Sequence, residues 1–428
     1  MKESKPLLRI ALPAMAEQFL QMLMGFVDNY LVAQIGLTAV SGVSIANNIL
    51  AIYQALFIAL GAGVSSILSR DLVVKKEEQV NQSMADALWL TSIISLLLGL
   101  VSIVGNVWLL KVLGTSTIVA QEGGLYLAIV GGGTISLGLL TSMGAIVRVQ
   151  GYVKLPMGIS ILTNFLNALF SALSIYIFDF GITGVALSTV LSRSVGTLIL
   201  MQKLPIKAIL QKLRWKVDKQ LLEIVLPAAG ERLMMRAGDV VIIAIIVTFG
   251  SKVVAGNAVG EIVTQFNYLP AMAISVATII QVASNVKENP RQVRETIKNS
   301  FWLSTLMMYG LAGIIFLLKA PLLGLFLQNS QALQAGGTVA LYSLIGVPAT
   351  AGTLIMTATW QGLGNAKLPF YATGLGMWCI RIGLGYLLAI SLNLGLRGVW
   401  LATVLDNLFR WLFLTYLYKK EDELHPKC

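Results

Sequence analysis

Long apolar runs dominate the chain, and most charged residues lie in the short gaps between the runs. A helix needs about 20 apolar residues to cross a hydrocarbon core of roughly 30 Å. Twelve runs reach this length, near residues 9–33, 39–69, 83–110, 121–147, 156–178, 183–203, 221–249, 254–286, 297–318, 332–361, 368–391 and 396–418. They are continuous rather than alternating over ten residues, which disfavours a membrane β-barrel. The pattern predicts an all-α membrane protein with twelve transmembrane helices.

Composition agrees with this prediction. Of the 428 residues, 56% are hydrophobic and 12% are charged, whereas soluble domains carry about a quarter charged residues. The two cysteines are too few and too far apart to suggest a disulfide framework. The first apolar run is too long for a cleavable signal peptide and contains Glu17 and Asp28.

The basic residues are distributed unequally between the two sets of gaps. Twenty-two Lys and Arg residues fall in the gaps on the side of the termini. The other side has four, Lys111, Lys252, Lys319 and Arg397. The positive-inside rule therefore predicts an inner-membrane protein with both termini cytoplasmic. The net charge of +11 reflects this topology, and no basic domain suited to nucleic acid is present.

The sequence repeats at half its length. Leu7–Ala14 aligns with Leu221–Ala228, and Glu17 aligns with Glu231. Further pairs are Gly36 and Gly250, Gly181 and Gly395, and, with a slip of one position, Lys154–Pro156 and Lys367–Pro369. Each half contains six spans and enters the membrane in the same direction, so the halves should be parallel bundles related by a pseudo-twofold axis along the membrane normal, as in many transporters. The predicted domains are an N-terminal lobe (1–203), a cytoplasmic linker (204–220) and a C-terminal lobe (221–428).

Ionisable residues inside membrane helices indicate function, because burying them there is unfavourable. Glu17, Gln21, Met24 and Asp28 are spaced four, three and four, so they share one face of the first helix. Asp28 stands about 22 Å beyond Pro13 along the axis. Since desolvation disfavours an ionised carboxyl, we interpret Asp28 as a proton carrier that has no fixed cation beside it.

The alternative for Asp28 is a structural role, with the carboxyl capped by the amide of Asn164 or Asn167. Asn164 is also a candidate substrate contact, together with Gln21, Met24 and Asp28. Pro13 removes a backbone hydrogen bond and is a candidate hinge.

The second half has its own polar face. Glu261, Gln265, Tyr268 and Met272 repeat the spacing of four, three and four, and they are predicted substrate contacts. For Glu261 a structural role is equally open.

Other charges are interpreted as ion pairs. Two pairs have helical spacing, Arg236 with Asp239 and Asp406 with Arg410. Arg193 and Arg381 are expected to pair with acids or to extend toward the interface.

The chain lacks the usual signatures of catalysis. It has no P-loop that would bind ATP, and one histidine with two separated cysteines cannot build a metal cluster. We therefore predict no enzyme activity, no cofactor and no metal. Fifteen methionines supply adaptable side chains that suit varied ligands.

Several segments resemble the multidrug and toxic compound extrusion (MATE) family. These are Leu-Pro-Ala at the start of spans 1 and 7, Gly25–Val32, Gln361–Asn365 and, more weakly, Gln150–Tyr152. The resemblance covers the whole chain, and the acid in span 1 is similar to that of the DinF branch. It implies a polar coupling cluster of Asp28, Tyr126, Asn167 and Thr189. Ser171 stands where some relatives have a second acid, and span 10 has no acid for the family's sodium site.

The sequence thus predicts a monomeric antiporter that exports amphipathic, often cationic compounds in exchange for protons. Its expected partners are lipophilic cations, protons and membrane lipids, and substrate is expected near Asp28 in a cleft between the halves. A sodium-coupled exporter and a lipid-linked oligosaccharide flippase of the same superfamily are the alternatives. A major-facilitator transporter also has twelve spans, but the Gly-Asp-Arg loop that follows its second span is absent here, where Ser69–Leu72 stands instead. From another class, a channel or a structural membrane protein stays possible.

Overall fold

The computed structural model describes residues 4–74, 77–212, 218–286 and 289–424. Over these ranges the chain is helical and contains no strand. The helices of the first half and the linker are α1 Ser4–Ala33, α2 Leu37–Val74, α3 Glu77–Val112, α4 Thr117–Gly132, α5 Thr134–Val149, α6 Leu155–Tyr176, α7 Gly181–Met201 and α8 Ile206–Gln211.

The second half repeats this order with more interruptions. Its α-helices are α9 Lys219–Val247, α10 Ser251–Thr264, α11 Leu269–Asn285, α12 Pro290–Leu317, α13 Lys319–Gly324, α14 Ser330–Ile345, α15 Val347–Gly362, α16 Lys367–Leu375 and α17 Leu396–Leu424. A 3₁₀ turn, Gln265–Tyr268, joins α10 to α11. After α16 the chain continues as two π-helical segments, Gly376–Leu384 and Leu387–Ser391.

Each of the twelve predicted spans corresponds to one of these helices or to a consecutive group of them, which confirms the all-helical prediction. By length and apolar composition, seven of the described helices could cross a membrane, or nine if each bent pair is one span. Helices α1, α9 and α17 account for the other spans, with 29 or 30 residues each. All three carry ionisable residues in their apolar runs.

Two spans predicted as single helices are bent. The fourth breaks by 43° between α4 and α5, and the tenth by 58° between α14 and α15. The breaks fall at Gly133 and Gly346, which are equivalent positions of the repeat to within a single position. Pro348 follows the second break, where it has no amide hydrogen to donate. The bends therefore belong to the repeated unit.

The backbone repeats even in its unusual torsions. Positive φ angles occur at Asp179 (51°) and, half the chain length later, at Asn393 (55°). Asp and Asn are among the few residues other than glycine that tolerate this region. Gly181 (52°) and Gly395 (55°) form a second such pair. The duplication seen in the sequence is thus preserved in the turn geometry.

The helices form two compact units. The first comprises residues 16–225 and the second residues 1–15 with 226–428. This division differs from the predicted domain boundaries, because the first turns of α1 pack with the second unit. There Leu7 and Ala11 join a buried apolar cluster with Ala277 of α11. In the first unit, Val225 at the start of α9 lies against Gly63 of α2, the position equivalent to Ala277 in the repeat.

Helices α2 and α4 approach each other through glycines. A Cβ atom on Gly123 would collide with the backbone oxygen of Gly42. Because that neighbour is backbone, the clash cannot be relieved by turning a side chain. We expect Gly123→Ala to destabilise the first unit by about 1–3 kcal/mol, seen as a lower midpoint of thermal unfolding in detergent.

Gly158→Ala is the matched control for this prediction. Gly158 lies within α6, and a Cβ atom added to it would have no packing neighbour within 4 Å. Alanine favours a helix interior by up to about 1 kcal/mol over glycine, so this variant should be as stable as the parent or more so. Equal midpoints for both variants would contradict the close α2–α4 contact.

Candidate functional site

Asp28 lies in the first unit, hydrogen-bonded to an amide from α6. The Asn167 Nδ2 atom donates to both carboxylate oxygens of Asp28, at 3.1 and 3.3 Å. Asn167 is 5% exposed, and buried polar groups of this kind are normally hydrogen-bonded. Asn164 is the other amide considered from the sequence, and within the part of the chain that the structure describes its buried Nδ2 atom has no partner.

The amide of Asn167 is held in turn by two hydroxyl groups. Its Oδ1 atom accepts from Ser171 and from Thr189, both at 3.4 Å. The Thr189 hydroxyl can instead donate to the Val185 carbonyl oxygen at 3.1 Å. With its oxygen occupied by donors, Asn167 must present its NH₂ group to Asp28. Ser171, at the position of a possible second acid, is part of this neutral network.

Tyr126 completes the Asp28 cluster, by which we mean Asp28, Tyr126, Asn167 and Thr189. Tyr126 of α4 is 3% exposed, lies beside Thr189 and interacts electrostatically with Asp28. The structure therefore places together, from α1, α4, α6 and α7, the four residues that the resemblance implied. Their role in coupling stays a prediction.

Arg193 of α7 changes the electrostatics of the cluster. It lies one turn after Thr189 and interacts electrostatically with both Asp28 and Tyr126. Asp28 therefore has a cation in its surroundings, although among the described residues no ion pair joins the two. Spacing along α1 could not reveal this, because the cation stands on another helix that is remote in sequence.

The α1 face continues away from Asp28 through two further contacts. Gln21 accepts a hydrogen bond from Gln54 at 3.3 Å. Glu17 forms an ion pair with Arg148 of α5, with 2.6 Å between Oε2 and Nη2. The fourth predicted residue of this face, Met24, has a side chain outside the described part of the structure. Sequence reasoning missed this role of Arg148, which follows the apolar run 121–147 directly and was one of the twenty-two basic residues counted in the gaps.

In the second unit, a guanidinium contacts an acid at the position where the first unit has the amide of Asn167. Arg381, in the first π-helical segment, pairs with Asp239 of α9 at 3.2 Å. In the repeat, Arg381 occupies the position equivalent to Asn167. Corresponding positions thus present a neutral amide to the acid of the first unit and a guanidinium to the acid of the second.

This pairing corrects the predicted ion pair between Arg236 and Asp239. A spacing of three residues permits such a pair, but the packed eleventh span brings a competing guanidinium onto Asp239. Arg381 pairs with an acid as expected.

The second predicted polar face, formed by Glu261, Gln265, Tyr268 and Met272, assumed one continuous α-helix, and the structure has such a helix over only part of this segment. The 3₁₀ turn at Gln265–Tyr268 interrupts the regular α-helical spacing. Glu261 and Gln265 are exposed, whereas Tyr268 and Met272 are half-buried. Glu261 lies beside Asn257 and interacts electrostatically with Arg381.

A separate polar cluster is buried where α9, α16 and α17 meet. Arg410 donates to Asp406 at 2.8 Å, the ion pair predicted from their spacing, and these residues are 4% and 0% exposed. Thr373 donates to Glu231 at 3.1 Å and lies 3.5 Å from Arg410. Thr373 was missed because it is uncharged and distant in sequence.

Among the described residues, no group of three or more His, Cys, Asp or Glu side chains could hold a metal ion. The residues of the site are thus one carboxyl with hydroxyls, an amide and a guanidinium in the first unit, and charge-paired acids in the second.

A comparison with known families decides the identity of the chain. The MatE family model matches residues 13–173 and again 227–387. The chain belongs to the MatE family. The two matches are in the register of the internal repeat, so each half is one copy of the MatE unit. This confirms the family resemblance, and it makes the protein a member of a multi-pass membrane transporter family rather than an enzyme family.

Relatives in the MatE family match almost the full length. The probable multidrug resistance protein NorM of Thermotoga maritima is 25% identical over 422 residues, which cover 95% of this chain and 90% of the relative. The uncharacterised transporter YisQ of Bacillus subtilis is 26% identical over 419 residues, covering 94% of this chain and 91% of the relative.

Solved MatE structures share the fold. A MATE crystal structure in complex with MaD3S has a TM-score of 0.91 at 20% identity, covering 100% of this chain and 97% of that one. A MATE crystal structure in the bent conformation gives a TM-score of 0.91 at 19% identity, covering 99% and 96%. At these identities the likeness concerns the fold alone.

Proposed function

We propose that this MatE protein, of the DinF branch, is a secondary active antiporter of the inner membrane. It exports amphipathic, often cationic compounds in exchange for protons, works as a monomer and has both termini in the cytoplasm. The observation that carries the proposal is the Asp28 cluster, in which one carboxyl accepts two hydrogen bonds from a neutral amide. An acid held in this way can take up and release a proton without losing its position.

Arg193 explains why a proton and a cationic drug would exclude each other. With Asp28 ionised, the carboxylate and the guanidinium nearly cancel, and a drug cation can approach the carboxylate. With Asp28 protonated, Arg193 is left as the uncompensated positive charge. A cation next to it would then meet repulsion that is strong in a low-dielectric interior. Mutually exclusive binding of the two is the requirement for exchange.

The remaining predicted contacts are proposed to orient the substrate. In the first unit these are Gln21 and Met24, which share the α1 face with Asp28 in sequence, and Asn164 of α6. In the second unit they are Glu261, Gln265, Tyr268 and Met272. Asn164 supports this role, since its buried amide nitrogen has no partner among the described residues and would gain one from a ligand acceptor.

The test is the coupling ion of the purified protein. In proteoliposomes loaded with a pH-sensitive dye, ethidium should drive proton movement in the opposite direction. The rate should be the same in sodium and in choline buffers. Ethidium movement that requires a sodium gradient and leaves the internal pH constant would establish the sodium-coupled alternative. Scrambling of a labelled lipid-linked sugar, with no ethidium response, would indicate a flippase.

A further inference from the structure

The second unit contains a surface groove that the transport proposal does not use. It has a volume of about 490 Å³. It lies where α13, α14 and the start of α17 meet, at helix ends that the sequence predicts to face away from the cytoplasm. Its lining residues are Lys319, Leu333, Gln334, Gly337, Thr338, Leu341, Tyr342 and Arg397.

The groove collects positive charge on the side of the protein that has little of it. Two of the four basic residues predicted on this side, Lys319 and Arg397, line it, and none of the eight lining residues is acidic. Within the described residues neither cation forms an ion pair. The Lys319 ammonium instead lies over the Phe316 ring, 3.7 Å from its centroid. This positive charge is available to an external anion.

The charge is particular to the second half. The positions of the first half that are equivalent to Lys319 and Arg397 hold Gly105 and Thr183, so the first half lacks both cations. The repeated fold therefore does not require basic residues at these positions.

The surroundings of the groove suit a lipid. Leu333 and Leu341 line its apolar part. On either side of Lys319 in sequence, Leu317 and Leu325 are 81% and 76% exposed, as expected of side chains that face acyl chains. Lys319 begins α13 and Arg397 is the second residue of α17. Cations at helix ends lie at the level of the lipid headgroups.

We propose that this groove binds an anionic phospholipid from the adjacent, predicted outer leaflet. The phosphate would lie between Arg397 and Lys319, since guanidinium binds phosphate in a bidentate manner and lysine acts as a point charge. Gln334 and Thr338 offer polar atoms to the rest of the headgroup. Leu333 and Leu341 contact the upper acyl chain. The proposal does not depend on which ion drives transport.

Lipid-dependent stability tests the proposal. The full-length protein in detergent is titrated with phosphatidylglycerol or with phosphatidylcholine of the same chains, and unfolding midpoints and retained lipids are measured. Phosphatidylglycerol should raise the midpoint of the parent more than phosphatidylcholine does. The double variant Lys319→Gln, Arg397→Gln should bind phosphatidylglycerol roughly 10- to 30-fold more weakly. Each basic residue near the membrane surface strengthens binding of an anionic lipid by about fivefold, and the variant removes two of them.

The matched control removes the other two charges of the same side, with Lys111→Gln and Lys252→Gln. Both lysines are exposed and do not line the groove, so phosphatidylglycerol binding should stay at the parental level. An equal loss in this control would reduce the effect to general surface charge and overturn the site. Glycerol phosphate alone stabilising the protein as much as phosphatidylglycerol would also overturn it, in favour of a small-anion site. Unfolding midpoints of both double variants that equal the parental midpoint in phosphatidylcholine would show that each variant is folded.

Discussion

Asp28→Asn is expected to lower ethidium-driven proton movement in proteoliposomes by more than about tenfold, a loss of at least ~1.4 kcal/mol. The substitution keeps an oxygen that can accept from Asn167, which now donates at 3.1 and 3.3 Å. It removes the only carboxyl of the Asp28 cluster. Folding should therefore survive while proton exchange is lost, and ethidium binding should weaken because Arg193 is no longer compensated.

Asp179→Asn is the control for charge removal in the same half. Asp179 is exposed and has a positive φ of 51°, which asparagine adopts at the equivalent position, Asn393. This variant should transport at the parental rate. Proton exchange that persists in Asp28→Asn would refute Asp28 as the coupling group. Asp28→Glu should restore part of the exchange, because the carboxyl returns with one extra methylene.

Arg410→Met should destabilise the second unit by about 3–5 kcal/mol, the effect of leaving one member of a buried ion pair uncompensated. Arg410 is 4% exposed and its partner Asp406 is fully buried. The guanidinium also donates to Asn407 at 3.2 Å. We expect a much lower thermal midpoint and reduced yield of folded protein.

The control is a second Arg–acid pair with the same spacing of four residues. Arg291 and Glu295 lie 3.2 Å apart, but their side chains are 90% and 39% exposed. Arg291→Met should change stability by no more than about 1 kcal/mol, as is usual for surface pairs. Replacing Arg410 and Asp406 together by apolar residues should recover much of the loss. Similar effects at both single sites would contradict the structural importance of burial here.

The helices and the duplication were predictable from sequence for a physical reason. Hydropathy is averaged over about 20 residues of one segment, so the pattern does not depend on the neighbours of that segment. The repeat at half the chain length reappears in the family match and in the positive φ angles of Asp179 and Asn393. The run Gly131–Gly133 was compatible with close helix packing as well as with bending, and the bend at Gly346 was not predicted, because glycine in an apolar run is compatible with a straight helix as well.

The sequence by itself determined which helices carry acids and which face of α1 holds Glu17, Gln21 and Asp28, because helical periodicity is a local property. Only the tertiary structure decided what Asp28, Glu17 and Asp239 meet. It placed Arg193 near Asp28, Arg148 on Glu17 at 2.6 Å and Arg381 on Asp239 at 3.2 Å. The two members of each pair stand on different helices that are remote from each other in sequence. Charge pairing at such separations depends on how packed helices are rotated toward each other, and no single segment contains that information.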